Sequence, residues 1–117
     1  MAPFERLANE DFCYLTTVGR QTGKPHTIEI WFARHNGNLY LLSGGGAPAD
    51  WVRNLRKTPA VQVRIGSRTI AAKAREVTAL EEDALARQLL DEKYMGWKTG
   101  KCLSSWARNA LPVAIDL

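Results

Sequence analysis

The dipeptide Asn36-Gly37 constrains this chain strongly, because it separates two runs of apolar residues. Asparagine followed by glycine adopts the positive φ angles of a tight two-residue turn, which makes it a strong β-hairpin signal. Before the turn, residues 26–34 alternate between two faces, with Ile28 and Ile30 on the same face. After the turn, residues 39–43 form a second strand-like run. The pattern therefore predicts two antiparallel strands joined at this turn.

The rest of the chain extends the β pattern. Strands are predicted at residues 12–18, 61–65, 69–77 and 112–117, with a Gly66-Ser67 turn between the second and the third. Hairpins with short turns around one core are typical of a small, partly open antiparallel barrel. The whole chain, residues 1–117, is predicted to be a single domain of mainly β structure.

Helices are predicted at the periphery of this barrel. Short helical segments are expected at residues 3–8, 48–57 and 104–109. The sequence Thr78-Ala79-Leu80-Glu81 matches a capping box, which would begin a longer helix. That helix is expected to bury one stripe, made of Leu80, Ala84, Leu85 and Leu89.

Composition narrows the possible classes of protein. Of the 117 residues, 45% are hydrophobic and 24% are charged, as in ordinary globular domains. Cys13 and Cys102 have neither metal-ligand nor redox-motif spacing, and no metal site is predicted. No apolar run approaches the ~20 residues that span a bilayer, and nothing near Met1 resembles a signal peptide. A cytoplasmic enzyme or binding module without a membrane partner is expected.

The net charge of +4 leaves two kinds of partner open. The basic residues are spread along the chain, which suits nucleic acid or a small phosphorylated or polycarboxylate ligand equally well. A nucleic-acid barrel would interleave exposed aromatic and basic residues along one sheet face. Only Trp31 with Arg34 suggests such a face, so no nucleic-acid partner is predicted.

A glycine-rich junction supplies the first candidate site. Ser43 ends a strand, Gly44-Gly45-Gly46 follows, and the helix predicted to end at residue 57 comes next. Glycines allow backbone N–H groups to approach a ligand closely, and a helix N-terminus favours an anion. Arg53 and Arg56 add positive charge. The alternative is a flexible connection followed by a solvated basic helix face.

Two blocks of sequence carry a resemblance to a known family. The segment 14–26 resembles the threonine-rich strand and Gly-Arg-x-Ser/Thr-Gly turn of the deazaflavin-dependent nitroreductase family. The segment 43–59 is similar to that family's second block, Ser-x-Gly-Gly, Pro-x-Trp, Asn-Leu and Asn-Pro. A weaker match continues in residues 106–113. Both blocks occur in the family's order, with the Asn36-Gly37 turn between them.

This resemblance implies a fold and a chemistry. The fold would be the split antiparallel β-barrel of the flavin and deazaflavin oxidoreductase superfamily, which includes pyridoxamine-phosphate oxidases, with two or three peripheral helices. The protein would be a homodimer that uses reduced deazaflavin (F420) to transfer a hydride to an electron-poor small molecule, such as a quinone, an enone or a nitroaromatic. The cofactor performs this chemistry, so no catalytic side chain is predicted. An FMN-dependent reductase or oxidase, and a non-catalytic module that binds a cofactor or anion, are the alternatives.

The resemblance also implies site residues. The predicted cofactor contacts are Arg20, Thr22, Gly23, Lys24, His26, Ser43, Gly44, Gly45, Trp51, Arg53 and Arg56. Tyr94 and Trp97 are predicted to line the substrate pocket. The chain departs from the family at Gln21, His26 and Gly44, where deazaflavin-binding relatives carry basic residues, and FMN therefore stays open as the cofactor.

Overall fold

The computed structural model describes residues 9–117, and the helix predicted at residues 3–8 lies outside them. Seven strands follow in chain order: β1 (Cys13–Val18), β2 (Pro25–Ile30), β3 (Ala33–His35), β4 (Asn38–Ser43), β5 (Ala60–Ile65), β6 (Arg68–Glu76) and β7 (Leu111–Asp116). Within the same residues, three helices are α1 (Asp50–Lys57), α2 (Leu80–Met95) and α3 (Ser105–Asn109). The strands form one antiparallel sheet in the order β2-β1-β5-β6-β7-β4-β3. The prediction of a mainly β, curled barrel with peripheral helices is confirmed.

The two predicted turns set the strand register. Asn36 adopts a φ of 54°, and His35 pairs with Asn38 across the β3–β4 turn. Gly66 adopts a φ of 58°, and Ile65 pairs with Arg68 across the β5–β6 turn. These residue types tolerate positive φ angles, so both hairpins follow from local sequence.

Apolar side chains are buried on both faces of the sheet. Leu41 packs in a cluster with Leu15 and with Val52 of α1. Its neighbour Leu42 packs in a second cluster with Leu90 of α2. Successive side chains of a strand point to opposite faces, so adjacent β4 residues fall into different clusters. The helices α1 and α2 thus cover different faces of the sheet.

The prediction of one continuous strand over residues 26–34 is wrong. β2 ends at Ile30 and β3 begins at Ala33. The Phe32 N–H donates to the Tyr94 hydroxyl at 3.0 Å, and Lys93 Nζ donates to the Phe32 carbonyl at 2.9 Å. Side chains of α2 therefore satisfy backbone groups that a strand ladder would otherwise pair, and the strand breaks there.

The predicted capping box is wrong, and the predicted helix stripe is wrong at two of its four residues, because Leu80 and Ala84 are exposed. The N-cap of α2 is Ala79, and no side chain caps the helix. Leu80 is 87% exposed, whereas Ala86 and Leu90 are buried. Because Ala79 occupies the N-cap, Thr78 lies outside the helix and cannot bond to its first turn. The buried face is accordingly rotated away from Leu80, with Leu85 and Leu89 packing only partly against the sheet.

An ion-pair network joins α2 to the sheet and makes stability depend on pH. Arg75 of β6 donates to Glu82 at 2.7 and 2.8 Å and to Asp116 at 2.9 Å, and Tyr40 donates to Glu82 at 2.8 Å. Hydrogen bonds from Arg75 lower the pKa of Glu82 from 4.5 to about 2. A carboxylate with a lowered pKa stabilises the fold fully above its unfolded value, and this stabilisation is lost as the pH falls from about 4.5 towards 2.

We expect Glu82→Gln to lower the free energy of unfolding at pH 7 by about 1 kcal/mol, since Arg75 is partly exposed. Urea unfolding should show this difference shrinking between pH 5 and pH 3. Glu92→Gln, an exposed change on the same helix, is the control. A difference that stays constant over that range would contradict the role given to Arg75.

Candidate functional site

A polar cleft of about 400 Å³ lies between the β1–β2 turn and α1. It brings together the two sequence blocks that carry the family resemblance. The cleft is lined by Thr17, Gly19, Arg20, Gln21, Thr22, His26, Thr27, Ile28, Asp50, Trp51 and Asn54. The turn and the start of β2 supply guanidinium, hydroxyl and imidazole groups, while α1 supplies a carboxylate, an indole and an amide.

Glycine residues shape the turn that forms one wall of this cleft. The Gly19 N–H donates to Lys24 O, and the Gly23 N–H donates to Gly19 O, each at 2.8 Å. A Cβ atom at Gly19 would lie 2.7 Å from His26 Nε2 and 2.8 Å from Thr22 Oγ1. The missing side chain thus leaves room for a hydroxyl and an imidazole to converge at one point.

Asn54 of α1 connects the turn to the barrel. Its side-chain oxygen accepts from the Arg20 N–H at 3.2 Å and from Arg20 Nη1 at 2.9 Å. Its side-chain nitrogen donates to Thr17 Oγ1 at 3.1 Å in a buried contact. Asn54 is only 4% exposed, so these bonds are shielded from water. The position of Arg20 is therefore fixed by a buried amide.

The Arg20 guanidinium has a weak ionic partner. Nη2 donates to Asp50 Oδ1 at 3.0 Å, but the Asp50 side chain is 84% exposed. Exposed ion pairs contribute between zero and about 1 kcal/mol, so an anionic ligand could replace this carboxylate at low cost. Lys57 Nζ, which donates to Arg20 O at 2.7 Å, adds positive charge beside the turn.

The structure brings only part of the predicted cofactor set together. Arg20, Thr22, His26 and Trp51 line the cleft. The other predicted residues of the turn and of α1 are not among its lining residues, namely Gly23, Lys24, Arg53 and Arg56. Arg56 donates instead to Glu76 of β6, with its Nε at 2.9 Å.

The glycine-rich junction lies beside a different hollow. Ser43 is buried, and its hydroxyl donates to Gly46 O at 2.9 Å, which closes the loop on itself. A Cβ atom at Gly44 would lie 4.0 Å from the Trp106 ring. Trp106 helps to line a hollow of about 230 Å³ together with Glu29, Ile30, Trp31 and Leu42, which we name the Trp31–Trp106 hollow.

The two predicted substrate residues lie outside both hollows. The Tyr94 ring stacks on Trp31 with centroids 4.3 Å apart, and burial raises the pKa of its hydroxyl to about 12. The Trp97 indole N–H donates to Lys101 O at 2.8 Å within its own loop. Tyr94 therefore packs against Trp31 without lining either hollow, and Trp97 also lies outside both hollows.

Sequence reasoning missed several residues of these sites. Asp50 and Thr17 line the cleft, and Trp31 and Trp106 line the second hollow. The signal for Trp31 was its position on the face of the strand opposite Ile28. Nothing local in the sequence indicated that Trp106, from α3, would meet it.

Two further findings concern the described part of the chain. Every helix within residues 9–117 is too short or too polar to cross a membrane. Among the same residues, no three histidine, cysteine, aspartate or glutamate side chains are grouped as a metal site would require.

The curled antiparallel sheet with its peripheral helices defines a split-barrel protein. The family model for F420H(2)-dependent quinone reductases matches residues 4–117, and the chain belongs to this family. The family resemblance read from the sequence is thus confirmed.

Individual relatives agree with this assignment. The chain is 33% identical over 73 residues to the F420H(2)-dependent quinone reductase Rv1261c of Mycobacterium tuberculosis, a match that covers 59% of this chain and 48% of the relative. The chain therefore spans about half the length of the curated relatives it matches.

Solved structures show the same fold. The conserved hypothetical protein Rv2991 of Mycobacterium tuberculosis superposes with a TM-score of 0.79 at 23% identity, over 98% of this chain and 79% of that one. An F420-H2 dependent reductase (FDR-A) superposes with a TM-score of 0.69 at 20% identity, over 91% and 94% of the two chains.

Proposed function

We propose that this protein is an F420H2-dependent reductase that reduces quinones. The observation that carries the proposal is the convergence of both family sequence blocks on one cleft, with Arg20 on one wall and Trp51 on the other. Membership of the F420H(2)-dependent quinone reductase family supports reduced deazaflavin as the hydride donor rather than FMN.

The residues of the cleft fit an anionic cofactor. Deazaflavin carries a phosphate and an acidic tail, and the cleft presents a guanidinium, a hydroxyl and an imidazole from Arg20, Thr22 and His26. The space that a Cβ of Gly19 would fill lies directly against the last two groups. Charge-assisted hydrogen bonds to phosphate are about twice as strong as neutral ones, so this donor set suits that end of the cofactor.

The protein's own contribution is binding and orientation. Arg20 and Thr22 would hold the acidic end, and Trp51 would provide an aromatic wall. Asn54 keeps Arg20 in place through two hydrogen bonds. When bound, reduced deazaflavin supplies a hydride, which together with one proton from water converts a quinone into a hydroquinone. Glycines 44 and 45 would bring backbone groups close to the ring, as the family resemblance implies.

The proposal is tested by titrating the purified protein with F420 and with FMN and following cofactor fluorescence. We expect tighter binding of F420, and we expect Arg20→Ala to weaken it at least about tenfold, because a charge-assisted hydrogen bond is lost. Arg20→Lys keeps the charge without the planar fork and should lie in between.

Arg64→Ala is the matched control for this experiment. Arg64 lies over the Tyr14 ring and is not among the residues lining the cleft. Its replacement therefore removes the same charge at a site away from the cleft. If Arg64→Ala weakened F420 binding as much as Arg20→Ala, only the overall charge would matter. Tighter binding of FMN than of F420 would instead favour a flavin-dependent reductase on the same barrel.

The predicted homodimer and cytoplasmic location also stay proposals. One structural neighbour, at 21% identity and a TM-score of 0.69, is described as a domain-swapped dimer. In this chain β2 pairs with β1 alone among the described strands, which leaves one edge of β2 available to a second subunit.

A further inference from the structure

The Arg20 guanidinium is bound at one end by a buried residue and at the other by an exposed one. Its Nη1 donates to the side-chain oxygen of Asn54 at 2.9 Å, and Asn54 is buried. Its Nη2 donates to Asp50 Oδ1 at 3.0 Å, and the Asp50 side chain is exposed. Asn54 therefore fixes one end of the guanidinium, whereas Asp50 holds the other through a contact that water can reach.

The ion pair between Arg20 and Asp50 lies at the wall of the candidate cofactor cleft. Both residues line the cleft, together with Thr22 and His26. The Asp50 carboxylate is thus an anion that the chain itself supplies to a cationic group of the cleft. A ligand whose anionic group binds Nη2 has to displace this carboxylate or tolerate its negative charge at close range.

Asp50 can leave Arg20 without a rearrangement of the turn. It is the first residue of α1, and rotation about its side-chain bonds moves the carboxylate while the helix backbone stays in place. Arg20 keeps its position meanwhile, because its backbone N–H and its Nη1 both donate to Asn54. Exchange of the carboxylate for a ligand therefore requires the movement of one side chain only.

The strength of the ion pair sets the loss of affinity that it causes. Exposed ion pairs favour the closed form by up to about fivefold. A ligand that has to open such a pair loses the same factor in apparent affinity. An anion that bonds to Arg20 alone gains little by the exchange, whereas one that also reaches Thr22 or His26 gains further hydrogen bonds. Both of these groups face one point, since a Cβ at Gly19 would lie 2.7 Å from His26 Nε2 and 2.8 Å from Thr22 Oγ1.

We propose that Asp50 is an internal competitor for the anionic group of the ligand. Its carboxylate binds the guanidinium that would hold a phosphate, so it weakens every anion bound at Arg20 and speeds the release of that anion. Asp50 thereby sets how much the charge of a ligand contributes to its affinity. The advantage of rapid release rests on the proposed function, in which each turnover uses one molecule of reduced cofactor.

The first test uses inorganic phosphate and the protein without cofactor. Binding is followed by nuclear magnetic resonance through the indole N–H of Trp51, which lines the cleft. We expect Asp50→Asn, which keeps the shape and removes the charge, to bind phosphate about two- to fivefold more tightly. Asp50→Ala should gain at least as much. A purely structural role would have the opposite sign or no effect, because an acidic residue in the first turn stabilises a helix.

Asp83→Asn is the matched control. Asp83 also lies in the first turn of a helix, α2, and accepts from Arg87 Nε at 2.6 Å, but it is not among the residues lining the cleft. Its replacement should leave phosphate affinity unchanged. The gain from Asp50→Asn should also disappear in an Arg20→Ala background, because the competitor acts through Arg20. The inference is overturned if Asp50→Asn binds phosphate no more tightly than the unaltered protein, if Asp83→Asn gains as much, or if the gain persists without Arg20.

Failure of this inference can be told apart from failure of the proposed function. Asp50→Asn should bind F420 more tightly by a similar factor, chiefly through slower dissociation, which stopped-flow fluorescence measures. Tighter phosphate binding by Asp50→Asn, with no F420 binding by either protein, would support the competitor and refute the proposed reductase. F420 binding that is equally tight in the unaltered protein and in Asp50→Asn would refute the competitor and leave the reductase in place.

Discussion

Replacing Asn54 by alanine is expected to lower the free energy of unfolding by about 2–3 kcal/mol and to weaken F420 binding at least tenfold. The change removes two hydrogen bonds to Arg20 and one to Thr17. Thr17 is buried, so its hydroxyl loses a partner that water cannot easily replace. The turn that carries Arg20 would then be held mainly by the exposed Asp50 carboxylate and by Lys57. Chemical denaturation and the fluorescence titration measure the two effects.

Two substitutions separate the contributions of Asn54. Asn54→Asp keeps an oxygen that can accept from Arg20 but removes the donor to Thr17, so affinity should be better preserved than stability. Asn109→Ala removes an asparagine whose side chain makes an exposed hydrogen bond to Ser105, and it should cost less than about 0.5 kcal/mol. An Asn54→Ala protein with wild-type stability and affinity would show that the turn is positioned by other contacts.

The hairpins could be predicted because their causes are local. Asn36 and Gly66 adopt positive φ angles that their own residue types favour, and β5, which precedes Gly66, alternates between exposed and buried residues. The break between β2 and β3 could not be predicted in this way. It depends on Tyr94, which is 62 residues from Phe32 in the sequence and meets it only in the folded chain. The alternation of side chains alone predicted a strand that continues through Phe32.

The same distinction between local sequence and contacts of distant residues applies to the candidate site. Arg20, Thr22 and Trp51 belong to family motifs and do line one cleft. Arg56 has the same charge as Arg20, but its carboxylate partner Glu76 lies 20 residues away, so the sequence did not indicate that it pairs there. Tyr94 and Trp97, predicted to line the substrate pocket, line neither hollow, whereas Trp31, on which the Tyr94 ring stacks, lines the smaller one. The motifs thus predicted the turn residues that line the cleft. The positions of Arg56 and Tyr94 depend instead on partners that are distant in the sequence.

Asp91 supports the helix that carries Trp106. Its replacement is expected to lower the free energy of unfolding as much as replacement of Asn54. It is 1% exposed, and its carboxylate accepts from the Ser104 N–H at 2.8 Å and from Ser104 Oγ at 2.6 Å. Ser104 in turn caps α3, since its Oγ accepts from the Ala107 N–H at 3.2 Å. The carboxylate therefore fixes the start of the helix that carries Trp106.

We expect Asp91→Ala to lower the free energy of unfolding by about 2–3 kcal/mol, because two hydrogen bonds to a charged group are lost and the Ser104 N–H is left without its acceptor. For a chain of this size that corresponds to a decrease in Tm of about 10 °C. Asp91→Asn keeps the shape and one acceptor and should cost about half as much, whereas Glu92→Ala, at the adjacent exposed position, should change Tm by less than about 2 °C. Differential scanning calorimetry distinguishes these variants.

Because α3 would lose its cap as well, the indole resonance of Trp106 should shift or broaden in Asp91→Ala while that of Trp51 stays in place. Equal Tm values for Asp91→Ala and Glu92→Ala would mean that the buried carboxylate does not stabilise the start of α3.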